Sequence, residues 1–156
     1  MPAVLRGAAR PGALIGLVSA AVIAFLYLVS VVGWGMDGRA PASGWVAIVA
    51  AALVGALAGG VAIGTQRALG APRVLAPLVA PVLVALVAVA AAIVVLPFDP
   101  DGSLALTVAV MVPFAVIAVT LATALAAFTD ASRWRPIGGV AAVVIALALI
   151  TGLVAE

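Results

Sequence analysis

An all-α, polytopic transmembrane helical bundle of five spans is the fold class this sequence predicts, on three observations. Hydrophobic residues make up 68% of the 156 positions and charged residues 8%, which would leave a water-soluble domain without a compatible surface. Five apolar runs approach the ~20 residues that a helix needs to cross a hydrocarbon core of about 30 Å, and none contains Asp, Glu, Lys or Arg. The breaks between them alternate, arginine-bearing ones with acidic or nearly neutral ones.

The first span is expected from Ala13 to Trp34, preceded by Arg6 and Arg10. This run is longer than the apolar core of a cleavable signal, about 7 to 15 residues, so it reads as a retained span. Gly12 and Gly16 at its entrance are four residues apart, the spacing that lets two helix backbones approach. Ser19, Ser30 and Tyr27 have no His, Lys or acid nearby to activate them and read as groups that hydrogen-bond between helices.

Gly-Met-Asp-Gly-Arg at 35–39 makes the first break, and the second span is expected from Gly44 to Gly64. Lipid tails are as apolar as Leu, so membrane helices associate through close backbone contact at small residues. Ala51, Gly55 and Gly59 recur every four residues, with Gly60 and Gly64 on a neighbouring face, which makes this span the candidate for the bundle centre. The same face could serve a homodimer, but packing within one chain has first use of it.

Gly-Ala-Pro-Arg at 70–73 forms the second break, and the third span is expected from Val74 to Leu96. Pro77 and Pro81 fall on one face, continued by Ala85, Ala88 and Ala92 and expected to look towards neighbouring helices. The third break, 97–103, carries Asp99 and Asp101 in a Pro and Gly turn, with Ser103 or Asp101 expected to cap the fourth span. The acidic spacing faintly resembles the start of a calcium loop, but no further ligands follow.

The fourth span is expected from Leu104 to Phe128, where Pro113, Ile117, Thr120 and Ala124 share a face and Thr123 lies close by. A proline inside a helix leaves a carbonyl without its partner, and such carbonyls beside threonine hydroxyls could line a path for a small solute. The plainer expectation is that these hydroxyls bond back to their own helix. Thr129 to Arg135 is the fourth break. Pro136 is expected at the first helical position of the fifth span, Pro136 to Ala155, where Gly138, Ala142 and Ala146 make a softer small-residue stripe.

Orientation follows from the arginines, because basic loops are retained in the cytoplasm. Arg6 and Arg10, then Arg67 and Arg73, then Arg133 and Arg135 fall on one side, while Asp37 with Arg39, Asp99 with Asp101, and Glu156 fall on the other. The N-terminus is therefore expected in the cytoplasm and the C-terminus outside. Trp34 and Trp45 would then lie at the outer interface and Trp134 at the inner one. All seven basic residues are Arg and Asn is absent, which suits a GC-rich coding sequence and suggests a bacterial inner membrane.

Composition also excludes chemistry. A net charge of +2 with scattered arginines does not suit nucleic acid. The absence of Cys and His removes the thiolate nucleophile and the commonest transition-metal ligands. Spans without Asp, Glu, Lys, Arg or His lack a proton relay, and an activated nucleophile would have no partner there. No enzyme activity and no cofactor are expected. The expectation is an accessory or structural subunit that binds the bilayer and either a membrane-protein partner or a second copy. The alternative is a passive channel or transporter for a small neutral or hydrophobic solute through Pro77, Pro81, Pro113, Thr120 and Thr123. Arg67, Arg73, Arg133 and Arg135 are the candidate lipid-phosphate contacts.

Overall fold

The computed structural model describes the backbone of residues 3–30 and 41–154, and side chains of 7–30, 47–94, 97–102 and 109–152. Trp34, Asp37, Arg39 and Glu156 lie outside these residues, as do the side chains of Arg6, Trp45 and Ser103. The order is α1 (Ala3–Leu28), α2 (Pro41–Ala68), α3 (Leu75–Val95), α4 (Ser103–Phe128) and α5 (Trp134–Val154), with 3-10 turns at Leu96–Phe98 and Ala131–Arg133. All five helices are long and apolar enough to cross a membrane.

Helices α1 and α2 run antiparallel in a regular register. Gly12 and Gly16 of α1 face Gly60, Ala56 and Ala52 of α2, and Ala8 faces Gly64, so four residues forward on one helix match four back on the other. A Cβ added at Gly16 would lie 2.6 Å from the Ala52 carbonyl oxygen, and one at Gly12 would lie 2.9 Å from that of Ala56. Only glycine allows such an approach at these two positions. Helices α3 and α4 pair with each other, α2 contacts both, and α1 closes the set against α4. Helix α5 packs chiefly on α1, outside this four-helix bundle.

The interior is built from small residues. Ala58, Ala62 and Ile63 of α2 meet Ala76, Ala80 and Val84 of α3 and Val119, Ala122 and Ala126 of α4, with Leu14 and Ile15 of α1 completing the cluster. A second cluster joins Ala20 and Ala24 of α1, Ile48 of α2 and Ala148 of α5. Large apolar side chains point outward instead: Leu57 is 67% exposed and Leu86 60%. This inversion suits a lipid solvent, where burying Leu gains little and close contact between backbones gains more.

Several sequence expectations are corrected. The bundle centre is shared, since the span window of α1 is 56% buried and that of α2 50%. Helix α1 begins at Ala3, ten residues before the expected span, and takes Pro11 into its interior. Helix α2 continues past Gly64 to Ala68, where Gly70 stops it at φ +60°. There the Ala71 N–H donates to the Gln66 carbonyl (3.0 Å) and the Gly70 N–H to that of Arg67 (3.2 Å), a Schellman ending.

Pro77 is the third residue of α3, where its N–H would have been unbonded, so it frees no carbonyl. The most buried line of α3 is Ala76, Ala80 and Val84, and of the expected face beside it Pro77, Pro81, Ala88 and Ala92 are half-buried and Ala85 exposed. On α4 the buried residues are Ala118, Val119, Ala122, Thr123 and Ala126, whereas Pro113 and Ile117 are exposed. The residue before α4 is Gly102, at φ +67° and with no side chain to cap the helix, so neither Asp101 nor Ser103 holds that position. The fourth break shortens to Thr129 and Asp130, followed by a 3-10 turn, and Pro136 is the third residue of α5 instead of the first. Ala141, Ala148 and Gly152 are the buried small residues of α5, while Ala142 and Ala146 are exposed.

Candidate functional site

Alternation of helix direction brings the end of α2, the start of α3, the end of α4 and the start of α5 to one end of the bundle. Where they meet is a polar cavity of about 360 Å³, lined by Ile63, Gln66, Arg67, Arg73, Ala126, Ala127, Thr129, Asp130, Ala131 and Trp134. Of its lining, Ile63 and Ala126 are buried while Arg67, Arg73 and Asp130 are exposed, which makes its rim polar.

Several rim groups are held by local hydrogen bonds. Trp134 is half-buried and its indole N–H donates to the Thr129 carbonyl at 3.2 Å, tying the start of α5 to the loop before it. The Gln66 amide donates to the Ala71 carbonyl at 3.2 Å and braces the end of α2. Arg67 reaches across to α1, where its guanidinium donates to the Gly7 carbonyl at 2.8 Å. That carbonyl would ordinarily accept from the N–H four residues ahead, but position 11 is proline and has none. Arg67 thus supplies the donor that Pro11 removes, and part of its hydrogen-bonding capacity is committed to the fold.

Arg73 stands at the same rim on the turn before α3, and no hydrogen bond or ion pair among the described residues engages it. Arg133 and Arg135 are exposed and do not line the cavity. The four arginines singled out from sequence therefore divide into a pair at the cavity and a pair outside it. Gln66, Asp130 and Trp134 were missed as cavity residues. The signal for them was topological: both arginine-bearing breaks flanking α3 and α4 must return to one end.

The expected helix-packing residues are all buried in the bundle. A Cβ at Gly55 would strike Ser19 of α1 at 2.6 Å and one at Gly59 would strike Ile15 at 2.5 Å. Gly60 and Gly64 have ordinary clearance, with nearest atoms of α1 at 3.4 Å, and Ala51 is 5% exposed.

No protein-family model, curated protein or solved structure matches the chain.

The threonines of the alternative solute path bond within their own helix, as the plainer expectation had it. Thr120 donates to the Val116 carbonyl at 2.6 Å and Thr123 to that of Val119 at 2.7 Å, each four residues back on its own helix. Pro113 is exposed on α4, and the carbonyl that it deprives belongs to Ala109, well before either threonine's acceptor. Ser19 and Ser30 likewise donate to the carbonyls of Ile15 and Leu26, which corrects the expectation of bonds between helices. The buried Tyr27 hydroxyl has no partner among the described residues.

Proposed function

We propose that this chain is an accessory or structural subunit of a bacterial inner membrane, with its N-terminus cytoplasmic and C-terminus external, binding a membrane partner or lipid. On this reading it is not an enzyme. One observation carries the proposal: the hydroxyls of Ser19, Ser30, Thr120, Thr123 and Thr151 all return to carbonyls of their own helices. With no Asp, Glu, Lys, Arg, His or Cys in the five apolar runs either, the interior has little beyond the Tyr27 hydroxyl with which to recognise or transform a solute. Recognition then falls to the outside of the bundle. Its apolar flanks along α3 and α5 suit contact with other helices or acyl chains, and the arginine end suits anions.

The alternative, a passive path through the proline and threonine positions, is not adopted because the hydroxyls that would line it are already bonded. Purification of the tagged chain in mild detergent tests the proposal. A membrane protein or a defined lipid retained in fixed ratio is the expected result. A monodisperse monomer carrying neither would end the reading.

A further inference from the structure

We infer that the cavity at the arginine end is a binding site for the phosphodiester headgroup of an anionic phospholipid. The inference deepens the lipid half of the proposed function and rests on the chain lying in a bilayer. Four features of the cavity point to this ligand.

The first is position. The cavity lies among helix ends, with Ile63 and Ala126 buried in its lining and Arg67, Arg73 and Asp130 exposed, so apolar surface meets charge at the end of the apolar spans, where headgroups would lie in a bilayer. The second is charge. Two guanidiniums, Arg67 and Arg73, stand against one carboxylate, Asp130, leaving a single net positive charge that matches a monoanionic phosphodiester. The third is donor geometry. Arg67 is oriented by its bond to Gly7 and Trp134 by its bond to Thr129, while Arg73 remains uncommitted, so a held cation stands beside a free one. Guanidinium groups present paired N–H donors that match phosphate oxygens. The fourth is size, since about 360 Å³ accommodates a glycerophosphate headgroup but lies at the small end for larger ligands.

Asp130 contributes selectivity on this reading. An entirely cationic cavity would take phosphate dianions or polyphosphates, and the carboxylate lowers the field to one suited to a single charge.

The test uses the full chain in neutral detergent, with Trp34 and Trp45 replaced by Phe so that Trp134 is the remaining tryptophan reporter. Short-chain phosphatidylglycerol, short-chain phosphatidylcholine and inorganic phosphate are titrated separately, and Trp134 emission is read. Saturable binding of phosphatidylglycerol at least about fivefold tighter than phosphatidylcholine is expected, from roughly 1 kcal/mol per arginine near a lipid charge. Arg73→Gln should erase most of that preference, Arg73→Lys should retain part of it, and Arg133→Gln, outside the cavity, should leave it unchanged. Asp130→Asn should tighten binding of phosphatidylglycerol and admit inorganic phosphate. Equal binding of the two lipids overturns the inference, as does loss on Arg133→Gln comparable to that on Arg73→Gln. Saturation by inorganic phosphate at concentrations like those of the lipid would make this a free-phosphate site and overturn it as well. A chain that keeps a protein partner on purification but shows no lipid preference would refute this inference while leaving the accessory-subunit reading intact.

Discussion

At Gly16 the nearest obstacle to a side chain is the backbone of α2, whereas at Gly64 it is the methyl of Ala8 at 3.4 Å. Backbone cannot yield as a side-chain tip can, so the two glycines should respond differently to the same change. Gly16→Ala is expected to lose about 1–3 kcal/mol through forced separation of the helices, and Gly64→Ala to stay within about 0.5 kcal/mol of the parent. Unfolding of both variants from detergent micelles checks this, and equal losses would refute the register. The Pro11, Gly7 and Arg67 arrangement yields a second residue-level prediction. Arg67→Ala should cost about 0.5–1 kcal/mol by removing the exposed bond to the Gly7 carbonyl, but much less in a Pro11→Ala background, where the Ala N–H supplies the missing donor. A double-mutant cycle without measurable coupling would show that the guanidinium contact does not substitute for the helix bond.

Among the helices, α5 is the least integrated in topology, being held mainly by α1 and by the short 3-10 turn that follows α4. It returns parallel to α1, where a Cβ added at Gly138 would lie 3.6 Å from the Leu17 side chain, and an apolar groove of about 490 Å³ opens between Val18, Val22 and Phe25 on one side and Ile137, Val140 and Val144 on the other. Cysteines at Leu17 and Gly138 should therefore be joined readily by a short bifunctional maleimide, in a chain that has no other Cys. A pair at Gly138 and Val89, an exposed position of α3, should not be joined within one molecule. Efficient crosslinking of the second pair and not the first would place α5 on the wrong side of the bundle.

For the whole molecule the testable quantity is topology. Cysteine introduced at Ser103 should react with an impermeant thiol reagent in intact cells, because the Asp99 and Asp101 loop is proposed to be external. Cysteine at Ser132 should be protected until the membrane is opened. The reverse pattern would invert the chain, and labelling of both sites would mean that α4 does not cross.

The number of long apolar helices, most of their approximate limits and the placing of Arg67, Arg73, Arg133 and Arg135 at one end were legible in the sequence, because an apolar run and its charged breaks are properties of contiguous residues. The α1–α2 contact was half legible: glycine spacing marked Gly12, Gly16, Gly55 and Gly59 as packing residues, but not as partners of one another. The inward stripe of α5 is not the expected one, since Ala142 and Ala146 are exposed, and on α3 the deepest line, Ala76, Ala80 and Val84, lies beside the expected half-buried proline face. In a helix apolar on every side, polarity no longer tells inside from outside, and the remaining asymmetry is one of size, Ala118, Ala122 and Ala126 inward against Ile117, Leu121 and Phe128 outward. The sequence by itself thus determined that the described residues form five helices long and apolar enough to cross a bilayer and which breaks carry the charge. Tertiary structure alone decided which small residues meet, that Arg67 replaces the donor lost at Pro11, and that Arg73, Asp130 and Trp134 share one cavity, because those relations depend on helix rotation and pairing across dozens of residues.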